Sequence, residues 1–396
     1  MNGNRVAMER SDEGRTDYSY DSLNQLVEAK FPGGDFQRFD YDPVGNRMKL
    51  EEAKGITTYA YDPANEIQGS VETREGGVIT TSYSFDAAGN MASEKVEKKA
   101  TKYAWDANNR LVQLSAPNGQ KETVTYDPFN HRLSKKGKAT TYYSWDGNLC
   151  VYDTTTYFTD SVMYVPLNGE IVAQVGKSRG DGEAVSQEES EPVRYYHTDA
   201  LGSVLALSGK SGNVLATYSY EPYGAIRHQE GASSNANTYV GGYGVRNDSV
   251  AGYYMVNRYQ NYFIARFISE DMFEGDNKDN NIYRYVINNP MVLIDPYGLY
   301  ASGPCKGQWI FMKSEPTPTK QMFNLFKLLT PFSPSCDCYW LCKPCDKPIM
   351  YDMKQYYTFP KTTGILNFTG TGKINKGWTC DCVKPSPDKT CNECNK

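Results

Sequence analysis

The chain reads as an all-β protein, a spiral of stacked β-hairpins followed by a small Cys-rich α+β tail. Three observations predict this. Seven aromatic-Asp pairs form a series, at Tyr20-Asp21, Tyr41-Asp42, Tyr61-Asp62, Phe85-Asp86, Trp105-Asp106, Tyr126-Asp127 and Trp145-Asp146. The steps are 21, 20, 24, 20, 21 and 19 residues, and a near-constant period of that size marks stacked supersecondary units. Tyrosine supplies 32 of 396 residues while hydrophobic residues reach only 39%, which favours thin sheets with polar linings over one thick core. Composition then breaks near residue 299: beyond it lie nine of the ten cysteines and thirteen lysines, with no arginine or histidine.

Each unit has one internal order. A short alternating strand comes first, as in Tyr59-Ala60-Tyr61. A turn follows, such as Asp42-Pro43-Val44-Gly45-Asn46 or Asp106-Ala107-Asn108-Asn109-Arg110, and then a second strand such as Leu111-Val112-Gln113-Leu114. Aspartate bonds its own downstream backbone, and Gly or Asn supplies positive φ, so the segment is a hairpin. Alternate residues share a face, so Tyr59 and Tyr61 point the same way and stack on neighbouring units. Gly3-Asn4-Arg5 takes the place of Gly45-Asn46-Arg47. The chain is therefore expected to start inside a repeat, as the C-terminal piece of a longer protein.

The formal net charge of -5 hides an asymmetry: residues 300–396 carry thirteen Lys against seven Asp plus Glu, or +6, which leaves -11 for the rest. A lysine-rich tail suits nucleic acid or an anionic surface, and equally a solvated face. No run approaches the ~18 apolar residues of a membrane helix. The start, Met1-Asn2-Gly3-Asn4-Arg5 followed by mixed charge, does not read as a signal peptide.

The repeats resemble the YD repeats of the Rhs/YD family. Tyr195-Tyr196-His197-Thr198-Asp199-Ala200-Leu201-Gly202-Ser203-Val204, Tyr220-Glu221-Pro222-Tyr223-Gly224, Asn257-Arg258-Tyr259 and Arg266-Phe267-Ile268-Ser269 resemble that family's core-associated region. The ending Asp295-Pro296-Tyr297-Gly298-Leu299 is the most specific match. The resemblance covers residues 1–299 and implies three parts: a YD-repeat spiral over 1–190, a core-associated region over 191–299, and an effector tail over 300–396. It implies a hollow β-shell holding a variable toxin, as in insecticidal toxin components, secretion effectors and wall-associated proteins. Its implied partners are the rest of the shell upstream of residue 1, a delivery machinery and an immunity protein. The implied setting is bacterial, with secretion or delivery into target cells.

The resemblance also implies an aspartyl autoprotease. The family's two aspartates match Asp271 and Asp295, and cleavage would fall between Leu299 and Tyr300. One carboxyl would hold a proton while the other takes one from the attacking water, the two titrating as a coupled pair. Arg266, just upstream, is the expected partner of a carboxylate or of the carbonyl. The chain departs from the pattern by placing Glu270 and Met272, not prolines, beside Asp271. Glu274, Asp276 and Asp279 crowd the linker between the candidates. By residues alone, Asp-Pro-x-Gly is also an ordinary type I turn.

His131, His197 and His228 are the only histidines. Without a Ser or Cys nucleophile motif they read as structural, and Cys150, alone in the body, reads as a buried apolar residue. In the tail, Cys336, Cys338, Cys342 and Cys345 form one cluster and Cys380, Cys382, Cys391 and Cys394 a second, with Cys305 apart. Two four-thiolate zinc sites fit, and so does a disulfide framework in a small exported module. Zinc in the tail is the only cofactor the sequence suggests. Met322, Leu325, Phe326 and Leu329 share a face and predict a helix over Thr319–Leu329. Lacking histidine, the tail is excluded from His-dependent nuclease, Cys-His protease and His-x-Glu deaminase chemistry. Three functions follow: a self-processing delivery shell with an enclosed effector, an uncut structural or adhesive repeat protein with a disulfide cap, or a tail that binds nucleic acid in a zinc-dependent way.

Overall fold

Twenty-one strands, from Ala7–Arg10 to Ile226–Gly231, form one antiparallel sheet in which each strand pairs with the next in sequence. The computed structural model describes residues 3–156, 160–177, 193–231, 235–248, 251–272, 280–299 and 301, and in the tail three strands. The two ends of the large sheet meet. Arg10 Nη1 donates to the Tyr218 carbonyl at 2.8 Å, and Arg227 pairs with Asp35 at 3.1 Å.

The aromatic-Asp pair builds each hairpin in three ways. In all seven units the strand register shifts at the aromatic residue, so a bulge precedes every turn. The aromatic then donates to a carbonyl of the preceding unit: Tyr20 to Arg5 at 2.7 Å, Tyr41 to Leu26 at 2.9 Å, Tyr61 to Arg47 at 2.9 Å, Trp105 to Met91 at 2.8 Å. Tyr126 and Trp145 do the same to Leu111 and Arg132, each at 2.8 Å. A tyrosine or tryptophan is needed because both couple a large apolar ring to a donor; Phe85 keeps the ring and forgoes the bond. Finally, the aspartate side chain accepts two backbone N–H bonds inside its own turn, as at Asp62 from Ala64 and Glu66, both at 2.9 Å.

Six of the seven turns follow this plan. Trp145-Asp146 departs from it: Asp146 pairs with Leu149, leaving only a two-residue turn, too short for the aspartate to fold around. Asp199 takes up the plan instead, accepting from Leu201 and Ser203 at 2.9 Å.

The sheet alternates exposed and buried residues along its strands, and the face that carries the repeat tyrosines is packed. Tyr18 and Phe39 cluster with Tyr253, Phe267 and Tyr285, and Tyr59, Tyr83 and Tyr103 cluster with Tyr254, Tyr259, Ile264 and Ile268. The covering segment, made of the described residues between 235 and 299, is called the strap below. Its regular structure is four short strands, Arg246–Asn247, Tyr253–Met255, Arg258–Asn261 and Arg266–Phe267, and two 3-10 turns, Gly241–Tyr243 and Val286–Asn288. A pair of buried ionic contacts joins the two layers in opposite senses: sheet Arg132 with strap Asp248, and strap Arg246 with sheet Asp153.

By internal contacts the chain divides into Met1–Ala301 and Ser302–Lys396. In the second unit Gln308–Pro316, Ser335–Lys343 and Met350–Tyr357 pair antiparallel. The helix expected at Thr319–Leu329 lies outside the described residues. Cys336, Cys338 and Cys342 fall on the strand Ser335–Lys343, while Cys305, Cys345, Cys380, Cys382, Cys391 and Cys394 lie outside the described residues, and with them the zinc or disulfide expectation. Among the described residues no helix is long and apolar enough to cross a membrane.

Candidate active site

Arg258 leaves a tight hairpin with its guanidinium fully covered. Val256, at φ 54°, turns the chain between the strands Tyr253–Met255 and Arg258–Asn261. The guanidinium lies 3.6 Å from the centroid of the Phe267 ring, whose face attracts a cation. Every edge of it is used. Nε donates to the Gly298 carbonyl at 2.6 Å and Nη1 to the Ile282 carbonyl at 3.2 Å. Nη2 faces two carboxylates at once, Asp271 Oδ2 at 2.9 Å and Asp295 Oδ2 at 3.3 Å. Burial lowers this guanidinium from its usual value, and Asp271 and Asp295 oppose that shift.

The two carboxylates are unequal. The Asp295 side chain is 3% exposed, that of Asp271 15%. Asp295 belongs to a turn closed by Gly298, and its Oδ1 accepts the Leu299 N–H at 2.9 Å. Gly298 is at φ 66°, and a Cβ there would lie 2.8 Å from the Met255 carbonyl oxygen and 2.9 Å from Arg258 N, so the turn needs glycine on both counts. Asp271 is fixed by its backbone N–H, which reaches the Ile282 carbonyl at 3.1 Å. One nitrogen thus gathers two acids from 24 residues apart, and one of the acids grips the chain at Leu299. Two carboxyls held by one cation in a covered site can act together on one group, one accepting a proton and the other giving one.

Arg266 does not take the part expected of it. Its Nη2 donates to the Asn65 carbonyl at 2.7 Å and to Asn281 Oδ1 at 3.3 Å, and its guanidinium sits 4.9 Å from the Tyr61 ring centroid and 5.0 Å from that of Tyr283. It fastens strap to sheet; Arg258 is the arginine on the acids. Both lie in strap segments of the same Tyr- and Arg-rich character, and chain distance to Asp271 favoured the wrong one. Leu299 is half-buried; Tyr300, Glu274, Asp276 and Asp279 lie outside the described residues.

The strap is stitched to the row of repeat turns by asparagines. Asn289 donates to Asn4 Oδ1 at 3.0 Å, Asn288 to Gln25 Oε1 at 3.0 Å and to the Gly45 carbonyl at 2.8 Å, and Asn281 to Asn46 Oδ1 at 2.7 Å. Tyr283 donates to the Gly89 carbonyl at 2.8 Å. The Asn-Asn-Pro run is therefore a signal in the sequence, but its partners are 243 to 285 residues away.

The histidines stand apart from this site. His131 bonds Asp127 at 2.9 Å and stacks on Trp145, His197 meets Ser208 Oγ at 2.7 Å, and His228 meets Glu230 at 3.1 Å. Cys150 is buried, and burial raises its thiol.

Fold and site together define a class: a bulged-hairpin repeat sheet covered by a strap that carries an arginine-bridged acid pair. The teneurin YD-shell profile matches residues 2–291, and the chain belongs to that family. This bears out the resemblance to the Rhs/YD proteins. The tRNA3(Ser)-specific nuclease WapA of Bacillus spizizenii is 30% identical over 292 residues, covering 70% of this chain and 12% of that protein. The toxin subunit YenC1 of Yersinia entomophaga is 25% identical over 332 residues, 71% of this chain and 33% of that protein. The crystal structure of TcdB2-TccC3 without its hypervariable C-terminal region aligns at 19% identity and a TM-score of 0.43, covering 75% of this chain and 19% of that one. The chain thus spans about an eighth of WapA and a third of YenC1.

Proposed function

We propose that this chain is the C-terminal part of an Rhs-type shell that encloses an effector and severs itself from it at Leu299–Tyr300. The observation that carries the reading is the joint hold of Arg258 Nη2 on Asp271 and Asp295, with Asp295 also bonded to Leu299 N–H. In the reaction, water attacks the Leu299 carbonyl carbon as one carboxylate takes its proton. The protonated partner gives its proton to the Tyr300 nitrogen, and the C–N bond breaks to leave a Leu299 carboxylate and a free amine. Arg258 keeps the second carboxyl close while like charges would push it away.

The delivery half of the reading is supported by the relatives, which are named as nucleases and toxins, and by the opposite charge of the two parts of the chain, -11 before residue 300 and +6 after it. The family match ends at residue 291, so the tail's own activity is not assigned from it. Producing cells would need an immunity protein against an active tail.

Intact-mass measurement tests the reading. Fresh wild-type protein should appear as fragments of 299 and 97 residues, and Asp271→Asn or Asp295→Asn as one 396-residue chain. An unbroken wild-type chain would leave the uncut structural repeat protein as the better account. Undiminished cutting in both variants would remove the acid pair from the reaction. The same spectra, taken before and after reduction, report disulfides or bound zinc in the tail.

A further inference from the structure

The two peptide groups ahead of Leu299 are held from different places. The Gly298–Leu299 peptide is held by the site itself, its carbonyl by Arg258 at 2.6 Å and its N–H by Asp295 at 2.9 Å. The Tyr297–Gly298 peptide is held by Asn257, whose Nδ2 and backbone N–H reach the Tyr297 carbonyl at 2.9 and 3.2 Å. Asn257 is oriented in turn by the sheet. Asn130 Nδ2 donates to Asn257 Oδ1 at 2.8 Å, across 127 residues of chain. An amide has one accepting end and one donating end, so a donor fixed on Oδ1 leaves Nδ2 turned toward Tyr297.

Asn130 is itself well fixed. It sits at φ 69° in the Asp127–His131 turn, and its carbonyl takes the Tyr254 hydroxyl at 2.9 Å. That hydroxyl accepts the Arg132 N–H at 3.2 Å. A repeat turn of the sheet thereby reaches, through one side chain, the segment expected to be cut.

We infer that Asn257 and Asn130 are positioning residues for the cut, and that the bond breaks at full rate only once the Asp127–His131 turn is built. This inference rests on the self-cleavage proposed above and adds to it a dependence on the sheet. A misplacement of about 1 Å at a reacting centre costs about a hundredfold in rate, so losing one holding bond on the adjoining peptide is expected to slow the cut about tenfold or more.

The experiment is cell-free synthesis of the full chain, with the 97-residue fragment followed in time for wild type, Asn257→Ala, Asn130→Gly and the double variant. Glycine at 130 keeps the left-handed backbone and removes only the amide. Asn109→Gly is the control: Asn109 is also left-handed, φ 57°, and takes its bond from Asn90 in the neighbouring turn at 3.0 Å. Both single variants should be cut slowly, the double no more slowly than the slower single, and Asn109→Gly at the wild-type rate with a melting temperature lowered as much as that of Asn130→Gly. The pH profile of the cut should keep its shape, since the acid pair is intact. Asn130→Gly cut at the wild-type rate, or two single effects that multiply in the double, overturns the inference while leaving self-cleavage standing. An uncut wild type overturns self-cleavage itself. If Asn257→Ala fails to fold, Asn130→Gly decides alone.

Discussion

The repeat sheet and the strap solve the same problem, burying polar groups under aromatic rings, by opposite means. In the sheet the repeat turns find their partners nearby: the aspartate within four residues, the aromatic donor within about one unit. The strap finds partners 200 residues and more away, as Arg266 does at Asn65 and Asn289 at Asn4. Local bonding makes the sheet repetitive and tolerant, because each turn satisfies itself. Remote bonding makes the strap singular, because those of its bonds that reach the sheet exist only when the sheet beneath is complete. The arginine-bridged acid pair lies on the singular part.

That contrast can be tested by substitution. The largest effect is expected where the two layers share charge. Arg132 is fully buried against Asp248, with Lys135 Nζ at 3.3 Å from the same carboxylate. Arg132→Met leaves that carboxylate underpaired and should cost about 3–5 kcal/mol, read as a drop in the urea midpoint. Arg132, chiefly, and Lys135 hold Asp248 well below the usual carboxylate range despite its burial. Since the folded value is the depressed one, the pair's contribution is fully present above the unfolded value. It is lost as pH falls through that value toward the folded one. Wild type should therefore lose stability below about pH 4, and Asp248→Asn should flatten that part of the curve.

A middle-sized effect belongs to the strap's turn. Gly298→Ala forces a Cβ against Met255 and a left-handed backbone on an ordinary residue, a strain of about 1–2 kcal/mol. It should move the thermal midpoint slightly yet slow fragment release strongly, because the displaced atoms are those gripped by Arg258 and Asp295. Equal small changes in both measurements would break the contrast. The smallest effect is expected in the sheet. Tyr126→Phe removes the bond to Leu111, worth about 0.5–1.5 kcal/mol, together with the hydroxyl's contact with Tyr259, and Phe85 shows that a unit tolerates a ring without a donor. Its cutting rate should be unchanged.

The hairpins were legible because their causes are adjacent in sequence. Tyr61-Asp62 followed by Pro63-Ala64-Asn65 holds the donor ring, the accepting side chain and the positive-φ residue in five letters. Where that adjacency misled, it did so locally: Trp145-Asp146 has the letters but only two residues of turn before Leu149. The cover of the tyrosine face was not legible, because nothing in a strand names the segment that will cover it. Asp271 and Asp295 are reached through a resemblance and not through any pattern of their own, and Arg266 is near Asp271 in sequence whereas Arg258 is the arginine that meets it in space.

The order of residues alone determined the repeat, its turns and the break near residue 299, since each depends on groups a few bonds apart whose geometry the backbone enforces. Only the folded arrangement decided which arginine meets the acids, which asparagine meets which turn, and what lies over the aromatic face. Those contacts join points up to 285 residues apart, and their partners are selected by how the sheet closes rather than by any neighbour along the chain.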